Sequence, residues 1–411
     1  MNTSTITVLN NFSGSSIGEW QLEGNTLTLQ LAQEPIVHAD YEAHNYNVHF
    51  TFGLKNNTKS IQTIKIIIQT DMQHITPNTI YLSNSSWNIT DRGISTVQAL
   101  DEGYTFPVTL PPSSYTYISN TMWHSLDYIE DEFSEYSNNQ KIQTLTYGRS
   151  YDNHPLQAYK FFKSRNHDVP LIIVSSGSHP KEGDSIATQA IAKHLIQDSC
   201  KLLEKADIIL IPVLNPDGFV NGLNGCNSKG INFFWDFQNK SPQKCPEAYH
   251  FWEFLKEFPP NIYIDFHAYS TQGPEKQFGP YLKPSVLYCG TPTKRSATKL
   301  ADILQTIPGS KSQFMFAPSS MPYKISKEFN SITFAKYHLH QDMGKQGMEK
   351  NALTVLSEII NSLEADELKH QILKPYGSLR KSYSAKIKQH LYINRHYLLK
   401  KLKHMYCSKK L

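Results

Sequence analysis

The hydrophobic pattern of the chain changes period once, near residue 130, and that change limits the folds open to it. From about Asn25 to Ser119, short alternating runs recur between turn residues: LTLQLAQ, NVHFTFGL, IQTIKIIIQ, TIYLS, YTFPVTL and YTYIS. A period of two puts apolar side chains on one face, so these runs predict half-buried strands, and their even spacing predicts a β-sandwich. Breakers stand where strands should reverse, at Lys55-Asn56-Asn57 and at Pro111-Pro112-Ser113-Ser114. The later pattern differs. IQTLTYGRSYDNHPLQAYKFF reads as two strands around a turn, and VPLIIVSSG, DIILIPVL and NIYIDFH read as buried strands. Between them, DSIATQAIAKHLIQDSC and AYHFWEFLKEF carry apolar residues at helical spacing. Strands alternating with helices imply an α/β layer around a largely buried sheet.

The polar segment DYIEDEFSEYSNNQ separates the two patterns and reads as a linker or short exposed helix. The expected organisation is a β-sandwich over residues 1–135, an α/β domain over 136–365 and a basic helical segment over 366–411. The 411 residues suit two or three domains. The start MNTSTITVLNNFSG lacks a basic opening and a long apolar run, and no stretch approaches the roughly 18 apolar residues of a membrane span. Five cysteines (Cys200, Cys226, Cys245, Cys289, Cys407) are scattered without CxxC spacing, which argues against a disulfide framework and a thiolate zinc site. A cytoplasmic location is the expectation. The net charge of +4 is uneven: residues 377–411 hold ten Lys/Arg and no acid, leaving 30 basic and 36 acidic side chains before them.

His179 and Glu182 follow a buried-type strand in GSHPKEG and precede helix-forming sequence, the position at which open α/β sheets place their chemistry. Imidazole nitrogen and carboxylate oxygen are both zinc ligands, and a step of three at such a turn can aim both at one ion. Taken alone, H-x-x-E recurs by chance, and a surface His and Glu is the competing reading. His267 ends a later apolar run, in NIYIDFHAYS. Two histidines and one carboxylate would leave a fourth tetrahedral position open, as catalytic zinc sites do.

The ordered set HPKEG, PVLNPDGF, GINFFWDF and IDFHAYS resembles the zinc carboxypeptidases, and the HP-x-E form resembles the cytosolic carboxypeptidase branch. The resemblance implies a carboxypeptidase-like mixed sheet flanked by helices and preceded by an all-β sandwich. It implies one zinc ion per chain, held by His179, Glu182 and His267, and a peptide or amide-containing substrate met by Asn215, Asn232, Phe234 and Trp235. Departures from the family pattern fall at the catalytic positions. The strand SITFAKYHLH places Ala335 where the family carries its catalytic Glu, and NGLNGCNSKG has Gly225 where an oxyanion-binding Arg is expected. Asn232 replaces an Asp that orients a zinc-binding His, and its amide oxygen is expected to accept from a ligand imidazole. Phe234-Trp235 replaces the Asn-Arg pair that grips a terminal carboxylate, which favours a ligand lacking a free α-carboxylate; packing as core aromatics is the competing reading. Replacement bases are sought in Glu328, His338, His340 and Asp342.

Three functions compete: a zinc hydrolase with a divergent catalytic set, a zinc-binding pseudoenzyme that recognises peptide ends, and, ranked lowest, an aspartoacylase-like deacylase. In the tail, Ile387, Leu391, Leu398 and Leu402 share one helical face among lysines. Packing of that face on the acidic body is favoured over an arm for nucleic acid or anionic membrane.

Overall fold

The computed structural model describes residues 5–35, 48–70, 76–162, 169–197, 201–232, 234–269, 285–289, 310–313, 319–329 and 331–362. The strands of this region begin with β1 (Ile6–Leu9) and β2 (Trp20–Glu23), which precede the alternating runs, and the runs themselves form β3 (Thr26–Gln30), β4 (Thr51–Asn56), β5 (Gln62–Gln69) and β6 (Ile80–Ser83). Two further runs form β10 (Gly103–Leu110) and β11 (Tyr115–Ser119), while the short strands β7 (Asn88–Ile89), β8 (Asp91–Ile94), β9 (Gln98–Leu100) and β12 (Trp123–His124) lie outside the runs. Two five-stranded sheets result, ordered β1-β4-β11-β6-β8 and β2-β3-β5-β10-β9, with β12 and β7 as a separate pair. The alternation decides the faces. Ile64, Ile66 and Ile68 of β5 point inward with Phe106, Val108 and Leu110 of β10, and they meet Phe52, Leu54 and Ile118 from the opposite sheet in one core. Each such side chain contributes on the order of 1.5–3 kcal/mol by leaving water.

Of the two readings of the acidic segment, linker or short exposed helix, the helix is found, but one face of it is buried. The segment forms helix α1 (Leu126–Ser137), with Ser125 Oγ accepting from Tyr128 N at 3.2 Å as its N-cap. Leu126, Ile129 and Phe133 are buried in the core of the α/β layer, so the charged residues occupy the remaining face of an integral helix.

The second sheet has eight strands, ordered β13-β14-β16-β15-β17-β20-β18-β19. These are β13 (Ile142–Arg149), β14 (Pro155–Phe161), β15 (Leu171–Ser175), β16 (Asp207–Ile211), β17 (Ile262–Tyr269), β18 (Ser285–Cys289), β19 (Ser310–Gln313) and β20 (Ile332–His340). Its central strands β16, β15, β17 and β20 run parallel; β13 pairs antiparallel with β14 and β14 with β16, while β18 lies antiparallel to β20. Helices α2 (Ser185–Leu195) and α6 (Gly344–Ser362) pack with α1 against Ile172 and Val174 of β15. The other face, carrying Ile173, is covered by α4 (Pro246–Glu257) and α5 (Met321–Phe329). The short helix α3 (Pro216–Asn221) follows β16. Burial on both faces explains the uninterrupted apolar runs of these strands. From β15 the chain moves to β16 on one side, and β17 joins β15 on the other. This is a topological switch point, the place at which open α/β sheets put their sites. The basic tail over 366–411 lies outside the described residues.

Candidate metal centre

β15 ends at Ser175, and a tight turn leads from it into α2. Gly177 N donates to Asp184 Oδ1 at 3.1 Å, closing the turn across its base. Pro180 opens a single 3₁₀ turn, Pro180–Glu182, at the position where its missing N–H costs nothing, and Glu182 N donates to His179 O at 3.0 Å. With three residues per turn, side chains three apart lie on the same side, so His179 and Glu182 face one way. Gly183 then takes φ +71°, and a Cβ there would stand 1.9 Å from Met122 O, so glycine is required.

His267 stands on β17, two residues beyond Asp265 and therefore on the same face of the strand. The ligand-type atoms of His179, Glu182 and His267 all lie within 4.8 Å of one another, and all three residues are buried. His179 Nδ1 is 2.8 Å from Glu182 Oε1, and His267 Nδ1 is 2.8 Å from Glu182 Oε2. Behind the cluster, His267 Nε2 is 2.9 Å from Asp265 Oδ2, while Ser175 Oγ donates to Asp265 Oδ1 at 2.6 Å. Tyr263 OH, on the same strand face, is 2.6 Å from Ser175 Oγ.

Proton counting shows why a cation suits this place. His267 meets a carboxylate oxygen at each nitrogen, so a neutral imidazole leaves one contact without its proton and, absent a cation, only a doubly protonated, charged ring serves both. A cation bound by both Nδ1 atoms and Glu182 removes the conflict: Nε2–H donates to Asp265, the arrangement that orients metal-bound histidines. Two imidazoles and a carboxylate suit zinc and leave a position open for substrate or water. Burial alone would push the Glu182 carboxyl up, but the imidazoles of His267 and His179 outweigh it and hold the group well below the usual range. Asp184, buried beside them, goes the other way. Burial holds its carboxyl well above the usual range, with Glu182 and Asp265 adding to the effect and His267 opposing it.

Phe234 forms an apolar wall of the cluster, its ring centroid 5.5 Å from that of His179 and 5.1 Å from that of His267. Trp235 packs edge-on against Phe234 at 4.9 Å. Asn215 is buried at the N-cap of α3, where its Oδ1 accepts from Gly218 N at 3.1 Å and its Nδ2 donates to Cys226 O at 2.9 Å. The bond expected from Asn232 to a ligand imidazole is not formed. Asn232 is buried with neither amide atom hydrogen-bonded, and the carboxylate of Asp265 takes that role at His267. Glu328 is exposed on α5, outside the buried cluster, which disfavours it as a base. Ala335, His338 and His340 lie on β20 beside β17, with His338 in register with His267, and Asp342 lies in the following turn; the side chains of all four are outside the described residues. Asp265 and Asp184 were not singled out by the sequence reading. The D-x-H step along a strand was the available signal for Asp265.

The backbone of the loop around Gly225 is capped by an acidic side chain from far away in sequence. Glu34, in the loop after β3, accepts from Asn224 N, from Gly225 N at 3.1 Å and from Cys226 N at 3.0 Å. These backbone donors are therefore already engaged by the chain's own carboxylate.

A mixed α/β sheet thus places a buried His-Glu-His cluster that could hold a metal ion beside its switch point. The sequence profile of the zinc carboxypeptidases matches residues 126–274, and the chain carries a domain of that family. Carboxypeptidase A4 of Mus musculus is 32% identical over 155 residues, which is 31% of this chain and 36% of that protein. Cytosolic carboxypeptidase 1 of Mus musculus is 28% identical over 126 residues, 28% of this chain and 10% of that protein. The chain thus spans about a third of the first relative and a tenth of the second. In three dimensions the likeness extends further. A metallo-carboxypeptidase from Burkholderia cenocepacia aligns over 88% of this chain and 99% of its own with a TM-score of 0.72 at 12% identity. A metallo-carboxypeptidase from Pseudomonas aeruginosa, solved with (2-guanidinoethylmercapto)succinic acid, gives 0.71 at 15% identity over 88% and 100%. These two likenesses show a shared fold that includes the N-terminal sheets.

Proposed function

We propose that this chain is a zinc-dependent hydrolase of metallocarboxypeptidase type, cleaving an amide bond in a peptide or related substrate with a divergent catalytic set. The observation that carries the reading is the convergence of His179 Nδ1 and His267 Nδ1 on the Glu182 carboxylate, with Asp265 behind His267. Zinc bound there supplies Lewis acidity towards a carbonyl and a water molecule. Glu182 neutralises part of the metal's charge, Asp265 fixes the His267 tautomer, and Phe234 excludes water from one side. The apolar pair Phe234 and Trp235 favours an apolar group over a free carboxylate, so modified peptides, amides and amino-acid conjugates are the substrates to try first. Cytoplasmic placement is part of the same proposal, supported by the scattered cysteines and by relatives named as cytosolic; among the described residues no helix is long and apolar enough to cross a membrane.

Two features favour a second reading, a zinc-binding pseudoenzyme that recognises peptide ends. Ala335 stands at the expected position of the catalytic Glu, and Glu34 fills the donors of the loop around Gly225. Loss of an oxyanion donor costs about 100- to 1000-fold in rate, and loss of a general base roughly 100- to 10,000-fold. A panel of peptides, N-acyl amino acids and amides, assayed with zinc-loaded chain and with chelator, separates the two. Cleavage that disappears with chelator and in His179→Ala supports the hydrolase; zinc-dependent peptide binding without turnover supports the pseudoenzyme. In the latter case Ala335→Glu is expected to raise turnover if the lost carboxylate is the principal defect.

A further inference from the structure

The turn that carries two of the proposed zinc ligands is gripped from the N-terminal side by one side chain. Lys181 sits between His179 and Glu182 in sequence and is completely buried. Among the described residues its ammonium has no carboxylate partner. It donates to Gly14 O and to Thr51 Oγ1 at 3.1 Å, and it lies 4.1 Å from the centroid of the Trp123 ring. All three partners belong to the strand-rich region before α1. Taking the Lys181 ammonium fully out of water costs free energy that these contacts only partly return.

The three partners are themselves fixed. Gly14 has φ +82°, and a Cβ on it would stand 2.3 Å from the Trp123 ring, so only glycine lets the carbonyl reach the ammonium past the indole. Gly14 N donates to Val220 O at 2.8 Å in α3, and Ser16 N donates to Thr51 O at 2.7 Å. The far side of the turn is braced as well. Gln341 Nε2 donates to Glu182 O at 2.7 Å while Met122 N donates to Gln341 Oε1 at 2.7 Å. Because three residues make one 3₁₀ turn, Lys181 projects away from the side shared by His179 and Glu182. A pull on Lys181 therefore rotates both ligands together. A merely space-filling side chain would pack in the same volume without setting that rotation.

We propose that Lys181 is a positioning residue that fixes the His179–Glu182 turn to the N-terminal sandwich, so that the centre's affinity for zinc depends on Gly14, Thr51 and Trp123. The proposal rests on the zinc reading above and gives the sandwich a role in the centre. Lys181→Met keeps length and contact with Trp123 but removes the donor.

The test measures zinc dissociation constants by chelator competition on the full chain, for wild type, Lys181→Met, Thr51→Val and the double variant, together with urea midpoints of the metal-free proteins. Lys181→Met is expected to bind zinc about 10- to 100-fold more weakly, the range seen when a supporting group around a metal is lost. Thr51→Val should weaken binding less, and the double variant should be no weaker than Lys181→Met alone, because the two act through one contact. Affinity equal to or tighter than wild type in Lys181→Met overturns the proposal. So do fully additive losses, or losses that merely track the urea midpoints. Should Lys181→Met fail to fold, Thr51→Val decides: unchanged affinity overturns the proposal, and weakened affinity at an unchanged midpoint supports it. Zinc binding by wild type that vanishes in His179→Ala establishes the centre independently; no zinc binding by wild type overturns both readings.

Discussion

The interior of the N-terminal sandwich and the strand ends of the eight-stranded sheet are both buried, but they are filled by different chemistry. Between the two sandwich sheets the core is aliphatic and aromatic, and the buried Asn56 at its edge spends its Nδ2 donors on backbone carbonyls, with Ser60 O and Pro111 O each at 2.8 Å. At the ends of β15, β16 and β17 the buried residues include His179, Lys181, Glu182, Asp184, Asn215, Asp217, Asp265 and His267. Desolvating such groups costs free energy that hydrogen bonds only partly return. The first region is built for stability. The second accepts instability to hold charge in a fixed place, and that contrast locates the centre better than any cavity does.

The contrast predicts separable effects. Phe106→Ala, in the sandwich core against Phe50, should cost about 3–5 kcal/mol in urea unfolding while leaving zinc affinity unchanged; a parallel loss of zinc would break the comparison. His49, fully buried with Glu182, Lys181 and His179 as its charged surroundings, should impose a pH dependence of the next size down. Burial holds its imidazole down to about 4, against an ordinary value of 6.5, so the folded state favours the neutral ring. A depressed folded value means that its stabilising contribution is complete above about 6.5 and is lost as pH falls through about 4. The stability difference between wild type and His49→Gln should therefore shrink by about 3 kcal/mol between pH 7 and pH 4. A difference that stays constant over this window would show that His49 is solvated.

Asp265→Asn should leave the sheet folded and weaken zinc binding about 10- to 100-fold. Unchanged affinity would mean that Asp265 only fills space behind His267. The smallest effect is expected at Asn215, where alanine removes the cap of α3 and the bond to Cys226 O. A loss of about 1–2 kcal/mol is predicted, read from the shift in urea midpoint, and a larger loss would indicate that the loop after α3 is also tied to the centre.

The strands and the three proposed ligands were legible because their signals are local. Ile64, Lys65 and Ile66 announce their faces by alternation, and His179 and Glu182 sit directly after an apolar run. Phe234 was recognised as a candidate wall by its place in GINFFWDF. What stayed hidden depends on groups far apart in sequence. Nothing near Glu34 says that it meets Asn224–Cys226 across about 190 residues, and nothing near Lys181 points to Gly14 or Thr51. The segment of α1 reads as a linker or short exposed helix because its acidic residues dominate the composition; the helix is there, but Leu126, Ile129 and Phe133 at helical spacing bury one face of it. Asn232 was assigned a bond from its position relative to a family pattern. The chain itself supplies that bond from Asp265, two residues before His267 on the same strand face.

Zinc content after exhaustive dialysis against metal-free buffer, followed by reloading with one equivalent, tests the central claim most directly. One tightly held zinc is expected per wild-type chain, and little or none in His179→Ala or His267→Ala proteins whose circular dichroism matches the parent. Stoichiometric zinc retained by both variants, or a correctly folded wild-type chain that holds none, would contradict the claim.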